Sequence, residues 1–377
     1  MRVQKTSKAN PLLTSKNKVK LGVFGFNGAG AAFTFHSDRY DGDWQSQVRV
    51  AQKADRMGIE AVVSAAHWKS FGGDGHYSGD LMETFTWAGA MAAVTENVAV
   101  ISTLHLTLIP PMLAAKAVAT VDRISNGRAG MNLVLGWNQG DMNAFGVKLD
   151  EHDDRFQLGN EWMQIFDRLC TGEPSFDFDG KYFKLKQLYS QPRQIQDRPV
   201  LLNAGSSTRG REFAAKNVDI AFVIPQDPRP EAIKTQVEAY RKEAREKYGR
   251  ELQIWMSCYV VQRDTREEAE AYVHDYVITQ GDDEAVNTVI TGAVENFSNF
   301  PKEVQEKIAF AFKAGWGGYG LVGSAEDIAN KFNALSDAGV DGFLMTWLDY
   351  EGGLARFEAS VMPLLEEKGL RHPVGQI

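Results

Sequence analysis

Short apolar runs rich in Val, Ile and Phe alternate along the chain with longer stretches whose apolar positions recur every three to four residues. The runs are Lys20–Asn27, Glu60–His67, Val98–Leu106, Gly130–Trp137, Val200–Ser206, Ile220–Pro225, Leu252–Val261 and Gly342–Leu348. Most are continuous rather than alternating, the pattern of parallel strands buried on both faces. Between them the periodicity predicts helices over Trp44–Met57, Met82–Thr95, Met112–Ile124, Arg155–Leu169, Arg209–Lys216 and Arg229–Tyr248. Strand and helix repeated to a count of eight predict an α/β fold, a (β/α)8 TIM-type barrel with insertions, with an open doubly wound sheet as the alternative.

Two stretches exceed what a plain barrel needs. Pro174–Arg198 is aromatic-rich around the turn signal Asp179-Gly180 and reads as a β-hairpin excursion. Gln262–Ser324, after the seventh strand, is the largest insertion; it holds helical runs from Thr265 and over Lys302–Lys313, then the glycine-rich Gly315–Gly320. Segments this long between barrel elements are usually lids or binding loops. The expected organisation is a flexible arm over 1–18, one barrel domain over 19–370 with insertions near 174–198 and 262–324, and a tail over 371–377.

Composition narrows the partners. With 377 residues, 44% hydrophobic and 24% charged, the chain has the profile of a large globule, and a net charge of −8 argues against a nucleic-acid surface. No apolar run approaches the roughly 20 residues of a membrane span, and residues 1–18 lack the apolar stretch of a signal peptide. Cys170 and Cys258 lie far apart and in no metal-ligand spacing, so neither a disulfide framework nor a metal site is expected, and a reducing cytoplasm is the expected compartment.

The sequence carries no Ser nucleophile elbow, no phosphate-binding P-loop and no His-Glu-x-x-His helix. Gly315-Trp-Gly-Gly-Tyr-Gly320 matches a dinucleotide fingerprint as a string, but it follows a helical pattern with no βαβ unit around it, so a mobile glycine loop is the better reading. Sparse acid–base machinery favours a cofactor that brings its own reactivity. In a barrel the C-terminal strand ends face the active site. Those ends here are Ser64-Ala-Ala-His-Trp68, Ser102-Thr-Leu-His105 and Asn132-Leu-Val-Leu-Gly-Trp137, while Asn203-Ala-Gly-Ser-Ser-Thr-Arg209 runs through small residues into a helix start suited to a phosphate.

The segment Ala115-Lys-Ala-Val-Ala-Thr-Val-Asp-Arg-Ile-Ser-Asn-Gly-Arg-Ala-Gly-Met-Asn-Leu-Val-Leu-Gly-Trp137 resembles the signature of the bacterial-luciferase-like flavin monooxygenases, in the branch that holds pyrimidine, dimethylsulfone and alkanesulfonate monooxygenases. The likeness runs from about Lys20 to Leu365 through Phe71-Gly-Gly73, Pro110-Pro111, Glu151-His-Asp-Asp-Arg155, Phe178-Asp-Gly-Lys-Tyr-Phe183 and Ala204-Gly-Ser-Ser207. This resemblance implies a two-component system in which a separate NAD(P)H:flavin reductase supplies reduced FMN. Dioxygen then reacts here through a flavin peroxide, and one oxygen atom enters a small organic substrate. It also implies a homodimer or homotetramer.

Carried over by position, the resemblance implies that Ala66 and His67 touch the isoalloxazine, Asn132 contacts its reactive edge and Asp141 holds the flavin. Arg155, with Phe156 beside it, is implied to reach the phosphate, and Ser206 and Ser207 to bind it. Val63, Thr103, Asn132 and Trp137 match the walls of a dioxygen pocket, where the Thr103 hydroxyl and Asn132 amide would face developing negative charge. Phe156 departs from the tyrosine of the pyrimidine branch and removes a hydroxyl donor there.

Plainer readings stand beside these. Asn132 also fits a buried polar residue that satisfies nearby backbone groups, His67 and His105 fit packing histidines, and Thr103 fits an ordinary strand residue. Asp141 also fits a helix N-cap, Ser206-Ser207 a helix cap without phosphate, and Arg155 a surface ion pair. Trp137, Trp68 and Trp347 fit either cavity or core. The rival functions are an F420-dependent hydride-transfer enzyme on the same barrel and a non-catalytic flavin-binding barrel.

Overall fold

The structure is a computed structural model that describes residues 10–72, 77–148, 152–205, 207–225, 227–294 and 297–375. Its strands are β1 (Lys20–Phe24), β2 (Ala61–Val63), β3 (Ala99–His105), β4 (Ala129–Val134), β5 (Phe176–Asp179), β6 (Lys184–Leu188), β7 (Val200–Asn203), β8 (Ile220–Val223), β9 (Gln253–Gln262), β10 (Tyr319–Gly323) and β11 (Gly342–Thr346). Strands β1, β2, β3, β4, β7, β8, β9 and β11 pair in parallel around a closed ring, β11 returning to β1 in the register Lys20↔Gly342. This is the TIM-type barrel that the continuous apolar runs predict.

Alternation along the strands sorts side chains between two cores. Val100, Leu104, Met131, Leu133 and Leu201 belong to the layer shared with the surrounding helices, whereas Ile101, Val200 and Leu202 belong to the lumen. By the two-residue period, Thr103 and His105 on β3 and Asn132 on β4 therefore project into the lumen, nearer its C-terminal mouth than Ile101.

The lumen is closed at its other end by residues expected to be a flexible arm. Pro11–Thr14 forms a single helical turn, with proline at its start and the Asn10 side chain capping Leu12 N. Leu12 is fully buried in the lumen cluster. Asn10 donates to the Ala129 carbonyl at the foot of β4, and Gln253 at the foot of β9 donates to the Leu12 carbonyl. An open barrel end exposes apolar lumen side chains, and covering them outweighs the freedom of a loose arm. The first residue of the expected tail is also held in place. Arg371 is buried, pairing with Glu60 at 2.9 Å and donating to the Val19 and Gly58 carbonyls.

β5 and β6 form the antiparallel hairpin at Asp179-Gly180. The large insertion leaves β9 through helices Arg266–His274, Asp283–Ala293 and Lys302–Gly315 and comes back as β10. Cys258 pairs with Met345 of β11 and with Tyr319 of β10, so β10 lies on the other edge of β9, beyond the stretch Gln253–Met256 that pairs with β8. The run Gly315–Gly320 is therefore not a mobile loop: it ends a helix and begins a strand. Its glycines serve close approach, since a Cβ on Gly315 would fall 2.6 Å from Tyr259 Cβ and one on Gly318 3.0 Å from Cys258 Cα. A bridge between Thr34 and Gly281 ties the loop after β1 to this insertion. Among the described residues no helix is long and apolar enough to cross a membrane.

Candidate active site

Three strand ends meet at the mouth. β2 stops at Val63, well short of the apolar run, because the Asn27 side chain takes over the backbone groups beyond it: Asn27 Oδ1 accepts from Ala65 N at 2.8 Å and Asn27 Nδ2 donates to the Ala65 carbonyl at 3.0 Å. The chain is thereby turned outward through Ala66 and His67. Ser64 stays buried and accepts from Thr103 N at 3.1 Å through its hydroxyl oxygen. The Thr103 hydroxyl donates to the Ser64 carbonyl, and Asn132 Nδ2 donates to Thr103 Oγ1 at 3.2 Å. Asn132 is only 3% exposed, and its Oδ1 is buried with no hydrogen-bond partner. Val63, fully buried, lies in the lumen cluster beneath this group.

Asp141 sits in the short helix Gln139–Ala144, whose N-cap is Asn138 rather than Asp141. Its carboxylate is fully buried and faces β2: Oδ2 lies 3.0 Å from His67 Nδ1, and Oδ1 accepts from Trp68 N at 3.0 Å. Burial alone would raise its pKa, but the His67 hydrogen bond and charge and the Trp68 amide outweigh that and hold it below the usual carboxylate range. Asp141 therefore acts first on His67, fixing its ring.

That ring is the hub of an aromatic wall. Phe71, Trp137 and Trp316 lie 4.7, 5.5 and 5.3 Å from it between centroids, and Phe33 stacks on Trp316 at 5.6 Å. Trp316 arrives from the insertion, as the left-handed C-cap of helix Lys302–Gly315. Val286, Val289 and Ile290 of helix Asp283–Ala293 extend the same apolar cluster. The insertion thus roofs the mouth with apolar side chains.

His105 lies beside this group, its ring 6.3 Å from that of His67 and its Nδ1 without a partner. Burial, reinforced by His67 and opposed by Asp141, pulls its pKa down to about 4, so it is neutral at pH 7. The unfolded chain protonates this histidine below about pH 6.5, while the folded chain resists until about pH 4. Its contribution to stability is therefore complete above pH 6.5 and is lost as the pH falls toward 4, on the order of 3 kcal/mol. His105→Phe should flatten that acid limb, as read from urea midpoints at pH 7 and pH 4.5; an unchanged difference between the two would remove His105 as its source.

Beside β4, the neighbouring strand β7 runs into Gly205 and the helix Thr208–Asn217, with Ser207 as N-cap accepting from Gly210 N at 3.0 Å. Asn203 Oδ1 accepts from Gly205 N, and Tyr240 donates to the Gly205 carbonyl at 2.8 Å. Gly205 and Gly210 touch backbone to backbone, since a Cβ on either would fall within 2.7 Å of the other's Cα. Ser206 lies outside the described residues. The Arg155 guanidinium, on helix His152–Thr171, donates to the Gly136 carbonyl, and Phe156 packs on Phe213.

The geometry thus groups Val63, Ala66, His67, Thr103, Asn132, Trp137 and Asp141. Of the other tryptophans, Trp68 is 39% exposed and packs on Phe145, and Trp347 is core beside Tyr350 and Phe357. Phe33 and Trp316 join the site without standing out in the sequence; a lone tryptophan inside a glycine run is the one signal for the latter.

The family model of the luciferase-like monooxygenases matches residues 21–342. The FMNH2-dependent dimethylsulfone monooxygenase of Pseudomonas putida is 30% identical over 331 residues, covering 85% of this chain and 87% of that protein. The pyrimidine monooxygenase RutA of Acinetobacter baylyi is 27% identical over 357 residues, covering 93% of this chain and 95% of its own. The crystal structure of DmoA from Hyphomicrobium sulfonivorans shares the fold with a TM-score of 0.82 at 22% identity, over 95% of this chain and 90% of that one. A matched family model that runs from the first barrel strand to the start of the last makes this chain a member of the luciferase-like monooxygenase family.

Proposed function

We propose that the protein is a reduced-FMN- and dioxygen-dependent monooxygenase of a small organic substrate, supplied with reduced FMN by a separate NAD(P)H:flavin reductase. The observation that carries this reading is Asn132 Oδ1, a buried acceptor without a partner at the mouth of a barrel walled by aromatic rings. Such an atom costs free energy unless a ligand donates to it. The Gly205–Gly210 contact is the second fit, because it holds the start of helix Thr208–Asn217, with Ser207 as its N-cap, tight against the end of β7, and a helix start is where a phosphate can approach. Bound reduced FMN supplies the electrons that activate dioxygen, one oxygen atom going to the substrate and the other to water.

The residues around it have separable tasks. Ala66 leaves room for a flat ring against the backbone, and His67, fixed by Asp141, borders it. Asn132 accepts from the ring. Ser206, Ser207 and Arg155, with Phe156 alongside, serve the phosphate. Val63, Thr103 and Trp137, with Asn132, wall an apolar space for dioxygen and exclude water. Because the Thr103 hydroxyl is already committed to Ser64, its task is to hold Asn132 rather than to face charge itself.

Anaerobic titration with reduced FMN should show saturable binding at one site per chain; no saturation would sink the reading. Gly205→Ala, whose Cβ would fall 2.6 Å from Gly210 Cα and push the helix start aside, should weaken that binding about tenfold, the scale of one lost charge-assisted hydrogen bond, measured in the same titration beside an unchanged circular dichroism spectrum. Self-association as a homodimer or homotetramer is supported by helix Thr84–Val94, which carries no charged residue, and by Leu113 and Ile124 exposed on the neighbouring helix Pro111–Ile124. Light scattering would decide it. A cytoplasmic home fits Cys170 and Cys258, both buried and free.

A further inference from the structure

The orientation of the Asn132 amide is fixed by its neighbours. The Ser64 carbonyl can only accept, so the single proton of the Thr103 hydroxyl goes to it. Thr103 Oγ1 then has only lone pairs to offer toward Asn132, and the atom facing it must be the amide nitrogen. That leaves Oδ1, on a lumen-facing side chain at the mouth, as a buried acceptor that cannot turn into a donor without breaking the contact with Thr103. The residues are aligned for this by register: Thr103 and Asn132 are direct partners across β3 and β4, and Ser64 follows β2 immediately.

We propose that the Ser64–Thr103–Asn132 relay makes the site selective for the reduced state of the flavin, by holding an acceptor against the ring edge whose nitrogen gains a hydrogen on reduction. Reduction of an isoalloxazine converts N5, on its reactive edge, from a lone-pair acceptor into an N–H donor, while N3 carries hydrogen in both states. With N5 against Asn132, a reduced ring pairs with Oδ1, whereas an oxidised ring brings acceptor against acceptor and leaves Oδ1 desolvated and unsatisfied. No electron moves in this step; it is discrimination by binding, and it favours release of the spent cofactor. Thr103 is the positioning residue, acting through Asn132. The inference rests on the reading that FMN binds at this mouth.

The test compares dissociation constants for oxidised FMN in air and reduced FMN under nitrogen, by calorimetry, for the native protein and three variants. The native protein should bind reduced FMN at least about tenfold more tightly, the scale of one satisfied against one orphaned hydrogen bond. Thr103→Val, which frees the amide to turn, and Asn132→Leu, which removes it, should each collapse that ratio toward one, and Thr103→Ser should restore it. Circular dichroism melting confirms that each variant folds. Equal affinities in the native protein, or a ratio that survives in both Thr103→Val and Asn132→Leu, would overturn the proposal. A native protein that binds neither form removes instead the FMN reading beneath it.

Discussion

Arg371→Met should destabilise the fold by about 3–5 kcal/mol, the usual consequence of stripping one partner from a buried ion pair. Glu60 and Arg371 are both almost wholly buried, and the pair ties the last described segment to the start of β2. Glu60 also accepts from Ser15, Asn17 and Leu21 N, so the carboxylate is held in place when its counter-ion is lost and cannot swing to water. The charge is then buried without compensation. Glu60→Gln should be destabilising as well, because the carboxylate oxygens divide their donors, Ser15 and Asn17 on Oε1 and Leu21 N on Oε2, and the glutamine NH2 must face one of these sets; the double variant should recover part of the loss. Urea denaturation of the three variants checks this. Equal stability of Arg371→Met and the native protein would show that the pair contributes nothing.

Asn132→Ala should behave in the opposite way. Product formation per reduced FMN consumed is expected to fall about 100-fold, the scale seen when one preorganised polar group is removed from a dry active site. Stability should hold or rise by about 1 kcal/mol, since the substitution also removes an unsatisfied buried oxygen. Loss of turnover without loss of stability is what separates a functional polar group from one that serves the core. Product yield and thermal melting, measured on the same preparation, test both halves. Unchanged turnover would remove Asn132 from the chemistry.

The barrel was legible because its strands are buried on both faces, so they read as continuous apolar runs whatever their neighbours. The misreadings have local causes. Pro11–Thr14 is a single turn, too short for a period of 3.6 to register, and its burial depends on a lumen that no local pattern reveals. β10 was hidden because Tyr319–Gly323 carries two glycines, which look like slack unless the strand beside them is known. β2 ends early through a side chain of Asn27, 38 residues from the backbone it pairs with.

The candidate site shows the same limit more sharply. The residue types were readable at strand ends, but their partnerships were not. His67 and Asp141 lie 74 residues apart, and Asn132 and Thr103 meet only once the register of β3 and β4 is fixed. From the sequence Asp141 reads as a cofactor ligand or a helix cap, and its contacts with His67 and the Trp68 amide emerge only in the fold. A single sequence holds no register for strands joined by a helix, because the crossover length leaves the alignment open.

The return of β10 to the strand from which the insertion departs gives residues 263–318 a common anchor at both ends. A segment fastened in that way is an interchangeable cassette: its helices can lengthen, shorten or change their inner side chains while the ring of eight strands keeps its pairing. Divergence in what the mouth admits can therefore accumulate in one contiguous stretch, and exchanging that stretch with a relative's is the direct route to altering substrate choice without rebuilding the cofactor floor.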